Sequence, residues 1–134
     1  MMKFIAAYGC SAIVVAIMDG VWLTMMGDKL YRPVLGDFMA KSVNIPAAVA
    51  FYFIYLGGLT FLATQPALEQ GSVGKAVINA AVFGFVAYAT YDLTNQATLT
   101  RWSTTITLAD MAWGTVMSVC AAVAGYYGSR LLVK

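Results

Sequence analysis

The sequence predicts an all-α integral membrane protein: an antiparallel bundle of four transmembrane helices forming one domain over residues 1–134. Three observations carry that prediction. Apolar residues make up 61% of the chain and charged residues 10%, where soluble domains hold about 45–50% and about 25%. Mean hydropathy is +0.77, and charge this sparse would leave a soluble globule of this size without a polar coat. The apolar residues also gather into four stretches, each near the ~20 residues that cross a bilayer. Short strand-like alternation is absent, and a chain in lipid must satisfy its own amides, so the stretches are read as helices.

The first span covers residues 4–26. Lys3 before an apolar run resembles the opening of a signal peptide, and Ala7-Tyr8-Gly9-Cys10 faintly resembles a lipoprotein cleavage box. The apolar run before Cys10 is shorter than the ~7–15 residues of a signal core and continues past it, so the span is expected to be retained. The second span covers 45–65, with Asn44 as N-cap, Pro46 in the first turn and Pro66 just beyond its end. The third covers 72–97. Its opening, Gly71-Ser72-Val73-Gly74-Lys75, looks like part of a phosphate loop but lacks the glycine spacing and the following Ser/Thr, and it is read as a helix start. The fourth covers 106–133. A longer polar loop, 27–44, and two short turns, 66–71 and 98–105, join them. Short connections make neighbours antiparallel and place both termini on one side.

Composition also narrows the chemistry. A net charge of +2 without any Lys/Arg run excludes a nucleic-acid partner. Histidine is absent, which removes His-ligated haem, His-rich di-iron boxes, His-based zinc sites and Ser–His or Cys–His triads. No cofactor is expected. Cys10 and Cys120 cannot form a disulfide framework and are read as small apolar packers. Lys3, Lys75, Arg130 and Lys134 fall on the side of the termini, and Lys29, Arg32, Lys41 and Arg101 on the other. That balance gives the positive-inside rule little to weigh. Termini in the cytoplasm are the expectation, because three of the first four crowd the chain ends.

Half of the six acidic residues lie inside predicted spans: Asp19, Asp92 and Asp110. A charged residue at the centre of a membrane helix costs about 2.5–3.5 kcal/mol on insertion scales, which makes each a candidate functional residue. Their depths coincide. Asp19 lies seven residues before the end of span one, Asp92 five before the end of span three, and Asp110 four into span four. At about 1.5 Å per residue all three sit roughly 6–10 Å below the surface opposite the termini.

Residues three and four apart share a helix face. Asp19 therefore shares a stripe with Trp22, Asp110 shares one with Trp113, and Asp92 is flanked by Tyr88, Asn95 and Gln96. Three such stripes facing a common interior form a candidate pocket, with Asp19, Asp92 and Asp110 as catalytic candidates. Trp22, Tyr88, Asn95, Gln96 and Trp113 are the substrate-binding candidates, and Tyr31, Arg32 and Arg101 are within reach from the loops. Asp92 is expected to be the best hydrated or best bonded of the three. Span four continues as a small-residue ridge of Gly114, Ser118, Ala121 or Ala122, and Gly125, suited to close helix contact. Two plainer readings stay open: Trp22, Trp102 and Trp113 as interfacial anchors, and a buried Asp as a clasp between helices.

Three segments resemble a known family. Phe51-Tyr52-Phe53-Ile54-Tyr55-Leu56-Gly57-Gly58, the stretch from Ala87 through Tyr91-Asp92-Leu93-Thr94-Asn95 to Leu99, and Asp110-Met111-Ala112-Trp113-Gly114 resemble the small bacterial membrane proteins grouped as domain of unknown function 2177. The resemblance runs from Asp19-Gly20-Val21-Trp22 to span four. It implies a bacterial inner-membrane location and four helices, with no established reaction and no catalytic residues to carry over.

The functional expectation is a site that binds or modifies a lipid or another hydrophobic small molecule. A pocket just below the interface admits an apolar chain laterally while its polar head stays wet, and one protonated Asp beside one ionised would make an acid–base pair. Whether the protein is an enzyme stays open, since no nucleophile stands out. The alternatives are a proton- or cation-coupled transporter working as a homo-oligomer, and a non-catalytic subunit of a membrane complex. Three carboxylates with an amide oxygen would also suit a hard divalent cation, so metal binding stays open as well.

Overall fold

With no charged residue between Lys3 and Asp19, the chain satisfies its amides internally and forms helix α1 (Met2–Met26). A computed structural model describes residues 1–133; Lys134, counted above among the basic residues near the termini, lies outside the described residues. The helical path does not end at Met26. It widens into a π-helical turn (Gly27–Tyr31), resumes as α2 (Arg32–Leu35) and tightens into a 3-10 turn (Gly36–Phe38). Residues 27–38 were expected to lie in a loop. The Arg32 guanidinium donates to Asp28 at 2.7 Å across one turn, Pro33 occupies the first turn of α2, and Tyr31 is tied inward, so the segment keeps helical form. Gly36, at φ 51°, breaks it.

Helix α3 (Ile45–Leu59) opens on Asn44, whose side-chain oxygen accepts from the Ala47 N–H at 3.2 Å. It passes through a second π-helical turn (Thr60–Thr64) into α4 (Gln65–Gln70). Pro66 explains the irregularity: it has no N–H to offer the Leu62 carbonyl one turn back. That carbonyl instead accepts from the Asn79 amide at 3.1 Å. Gly71, at φ 65°, closes α4, with the Ser72 N–H returning to the Ala67 carbonyl. Ser72 and Ser103 cap α5 (Val73–Thr98) and α6 (Thr104–Leu132). No strand occurs among the described residues.

Four helical stretches are long and apolar enough to cross a membrane: Met2–Phe38, Ile45–Gln70, Val73–Thr98 and Thr104–Leu132. Apolar side chains such as Ile13, Ile17, Phe53, Ile54, Ile78 and Leu108 point outward, as lipid-facing residues would. The chain is a multi-pass membrane protein.

Helix α6 is the hub, packed on both α1 and α5. Ser129 donates to the Lys3 carbonyl (2.9 Å), Ser11 to the Ala121 carbonyl (2.8 Å), and Trp113 to Asp19 (3.4 Å). Partner numbers rise along α1 as they fall along α6, so these two helices run in opposite directions. Gly84, Tyr88 and Gln96 of α5 meet Ser118, Gly114 and Thr104 of α6 in the same reversed order. Gly114, Ser118, Ala121, Ala122 and Gly125 are all buried, so the small-residue ridge is where α6 meets its neighbours. Helix α3 approaches α5 most closely at the Thr60–Thr64 turn, leaving space beside its N-terminal half.

Candidate functional site

That space is a cavity of roughly 680 Å³. Leu23 and Trp22 of α1, Phe51 and Tyr55 of α3, Ala87, Tyr88 and Tyr91 of α5, and Trp113 of α6 wall it; Leu35, Phe38, Met39 and Val43 cover it from the 31–44 segment. Asp19 and Asp110 are its acidic groups. The lining contains no Ser, Thr, Cys or Lys; its polar side chains are the two carboxyls, the tyrosine hydroxyls, the indole N–H groups and Asn44. The carboxyls and tyrosine hydroxyls add hydrogen bonding and proton exchange.

The three intramembrane aspartates are all buried: Asp19 is 7% exposed, Asp110 6% and Asp92 0%. Asp19 accepts from the Tyr52 hydroxyl through Oδ2 and from the Trp113 indole N–H through Oδ1. Asp110 accepts from the Tyr31 hydroxyl, which in turn accepts from the Trp22 indole N–H at 2.8 Å. The two tryptophans stack, with centroids 4.5 Å apart and planes 11° from parallel. Trp22 and Trp113 thus join the two aspartate networks and wall the cavity. Trp102 also faces the cavity, its ring against Tyr91 and its N–H donating to Thr107 at 3.0 Å.

Asp92 behaves differently. It lies off the cavity wall, its carboxyl within hydrogen-bonding reach of the Asp110 carboxyl, and apart from that carboxyl neither of its oxygens finds a hydrogen-bond donor among the described residues. The polar flanks expected to serve it turn elsewhere. Gln96 is exposed and donates to Thr104 at 2.9 Å, Asn95 is only half-buried, and the Tyr88 ring lies over Gly114. Neither Asn95 nor Gln96 lines the cavity. Of the loop cations, Arg32 pairs with Asp28, and Arg101 lies over the Phe38 ring at 5.0 Å and near Asp37 at 3.7 Å. No three His, Cys, Asp or Glu side chains converge as metal ligands among the described residues.

A model of one protein family, described as "Predicted membrane protein (DUF2177)", matches residues 4–127. The chain belongs to the DUF2177 family. No curated protein and no solved structure matches it. Membership covers every residue of the cavity and gives none of them a role, so the roles must come from geometry.

Several contributors to this DUF2177 site lay outside the candidates drawn from the sequence, among them Phe51, Tyr55, Ala87 and Tyr91 on the cavity walls and Tyr52, which bonds Asp19 without lining the cavity. Tyr52 stands seven residues into span two, level with Asp19, and the depth argument applied to the aspartates would have found it. The cover formed by Leu35, Phe38, Met39 and Val43 had no comparable signal, because residues 27–44 read as a polar connection. Gly114 also gains a reason: a Cβ there would fall into the Tyr88 ring.

Proposed function

We propose that this protein binds a lipid or similar amphiphile inside the membrane, its apolar portion against the aromatic walls and its polar end at Asp19 and Asp110. One observation carries the reading: a cavity of roughly 680 Å³ with mostly apolar walls ends on two carboxyls whose hydrogen-bond donors are already in place. Ligand sites are typically of about this size, apolar with a few fixed polar groups. A bacterial inner-membrane setting with cytoplasmic termini belongs to the same proposal, on the family resemblance and the basic residues near the chain ends.

Ala87 lines the cavity, and Ala87→Trp would fill it. Protein purified in mild detergent should release a near-stoichiometric amphiphile on organic extraction, read by mass spectrometry, and the variant should release little. Equal content in both proteins would defeat the proposal.

A transport reading draws on a separate observation. Thr60 and Thr64 carry buried hydroxyls without partners among the described residues, and with Ser11 and Ser118 they place polar groups beyond the cavity, toward the end where Ser129 meets Lys3. Proton uptake by proteoliposomes that is lost in Thr64→Val would favour this reading. Uptake unchanged by the substitution would remove it.

A further inference from the structure

The cavity lining holds acidic side chains and no basic one. Its acidic groups are Asp19 and Asp110, and no Lys or Arg is among the residues that line it. Every described hydrogen bond to these two carboxyls comes from a neutral donor: the Tyr52 and Tyr31 hydroxyls and the Trp113 indole. Such donors orient a carboxylate without cancelling its charge. Asp92, buried behind Asp110, adds a third acidic group and no cation.

The aromatic groups favour the same ligand. The stacked Trp22 and Trp113 rings and the rings of Tyr31 and Tyr88 stand beside the carboxyls. Aromatic faces attract cations through the ring quadrupole, most strongly for Trp and when water is excluded, and aromatic cages of this type recognise quaternary ammonium groups. A sulfate or phosphate head would meet carboxyls with no basic residue in the lining; Arg101 lies outside it, over the Phe38 ring and near Asp37. A neutral head would bond a protonated carboxyl but leave an ionised one without a counter-charge.

We propose that the cavity selects amphiphiles bearing an ammonium group, received by the Asp19 and Asp110 carboxyls with the Trp22, Trp113, Tyr31 and Tyr88 rings sharing the same lining. This rests on the amphiphile reading above and names its headgroup. Two sources share that chemistry, a single-chain cationic amphiphile and the ammonium of a zwitterionic phospholipid head. With no cation in the lining to accept a phosphate, the first should bind more tightly.

The test uses the full chain in dodecyl maltoside, with tryptophan emission as the readout and three probes of one chain length: dodecyltrimethylammonium, dodecylphosphocholine and dodecyl sulfate. The proposal expects saturable binding of dodecyltrimethylammonium at least about tenfold tighter than that of dodecyl sulfate. The Asp19→Asn, Asp110→Asn double variant should lose that preference. The affinity order is read on the unsubstituted chain, so it stands whether or not the variant folds. Dodecylphosphocholine matching the cationic probe would support the phospholipid head as the source, and its weaker binding would support the free cation. Equal affinity for all three probes would overturn the ammonium proposal and leave the amphiphile reading intact. Saturable binding by none would overturn both.

Discussion

Asp92 sits wholly inside the bundle, and among the described residues the Asp110 carboxyl is the one group within hydrogen-bonding reach of its own. A buried polar group without a partner costs about 1–3 kcal/mol. Asp92→Asn keeps the shape and offers an amide donor toward Asp110, so it should raise stability by roughly that amount, measured as thermal unfolding in detergent. A fall in stability would mean that partners an amide cannot satisfy hold the carboxyl, and this account of Asp92 would be wrong. The setting of Asp92 was illegible beforehand. Helical spacing puts Tyr88, Asn95 and Gln96 on the turns flanking Asp92, but it does not say where their side chains turn. Asp19 shows the converse: its sequence neighbours Val15, Ala16 and Leu23 are apolar, yet Tyr52 and Trp113 reach it from other helices.

At the scale of elements, α6 owes its central place to small residues. A Cβ on Gly84 would lie 2.6 Å from the Gly114 carbonyl oxygen, and backbone cannot move aside as a flexible side chain can. Gly84→Ala should therefore push α5 from α6 and cost about 1–3 kcal/mol. Gly57, within α3, has nothing within 4 Å of its Cβ position. Gly57→Ala should leave the protein unharmed or stabilise it by about 0.5–1 kcal/mol through helix propensity. Chemical or thermal unfolding of the two variants in one detergent checks the pair, and equal responses would contradict the packing argument. The ridge was legible in the sequence because Gly, Ser and Ala recur every three to four residues. The helical course of residues 27–38 was not, because Gly27, Asp28, Lys29 and Pro33 resemble a loop locally. Their helix is accompanied by an exposed Asp28–Arg32 pair, worth little by itself, and by the anchoring of Tyr31 to Asp110, a contact across 79 positions.

On the scale of the whole molecule, Ser129 bonds Lys3 at one end, while Asp19, Asp110 and the cavity lie toward the other. Reporter fusions at Met1 and after Val133 should report the same side of the membrane, and fusions within residues 39–44 or at Arg101 the opposite side. Disagreement between the two termini would refute the four-span path. The all-helical membrane class was legible from composition and apolar run length, since lipid leaves so few ways to satisfy a backbone. The cavity was legible only in part: depth arithmetic brought the aspartates and tryptophans to one level, but the space depends on how far the N-terminal half of α3 stands from α5. The central claim is that the Asp19 and Asp110 carboxyls end a cavity open to apolar molecules. Labelling with dicyclohexylcarbodiimide, an apolar carboxyl reagent, followed by peptide mass mapping tests it most directly. The account predicts adducts on Asp19 or Asp110 that diminish in Ala87→Trp and that a water-soluble carbodiimide does not form. Adducts confined to Asp28, Asp37 and Glu69 would contradict it.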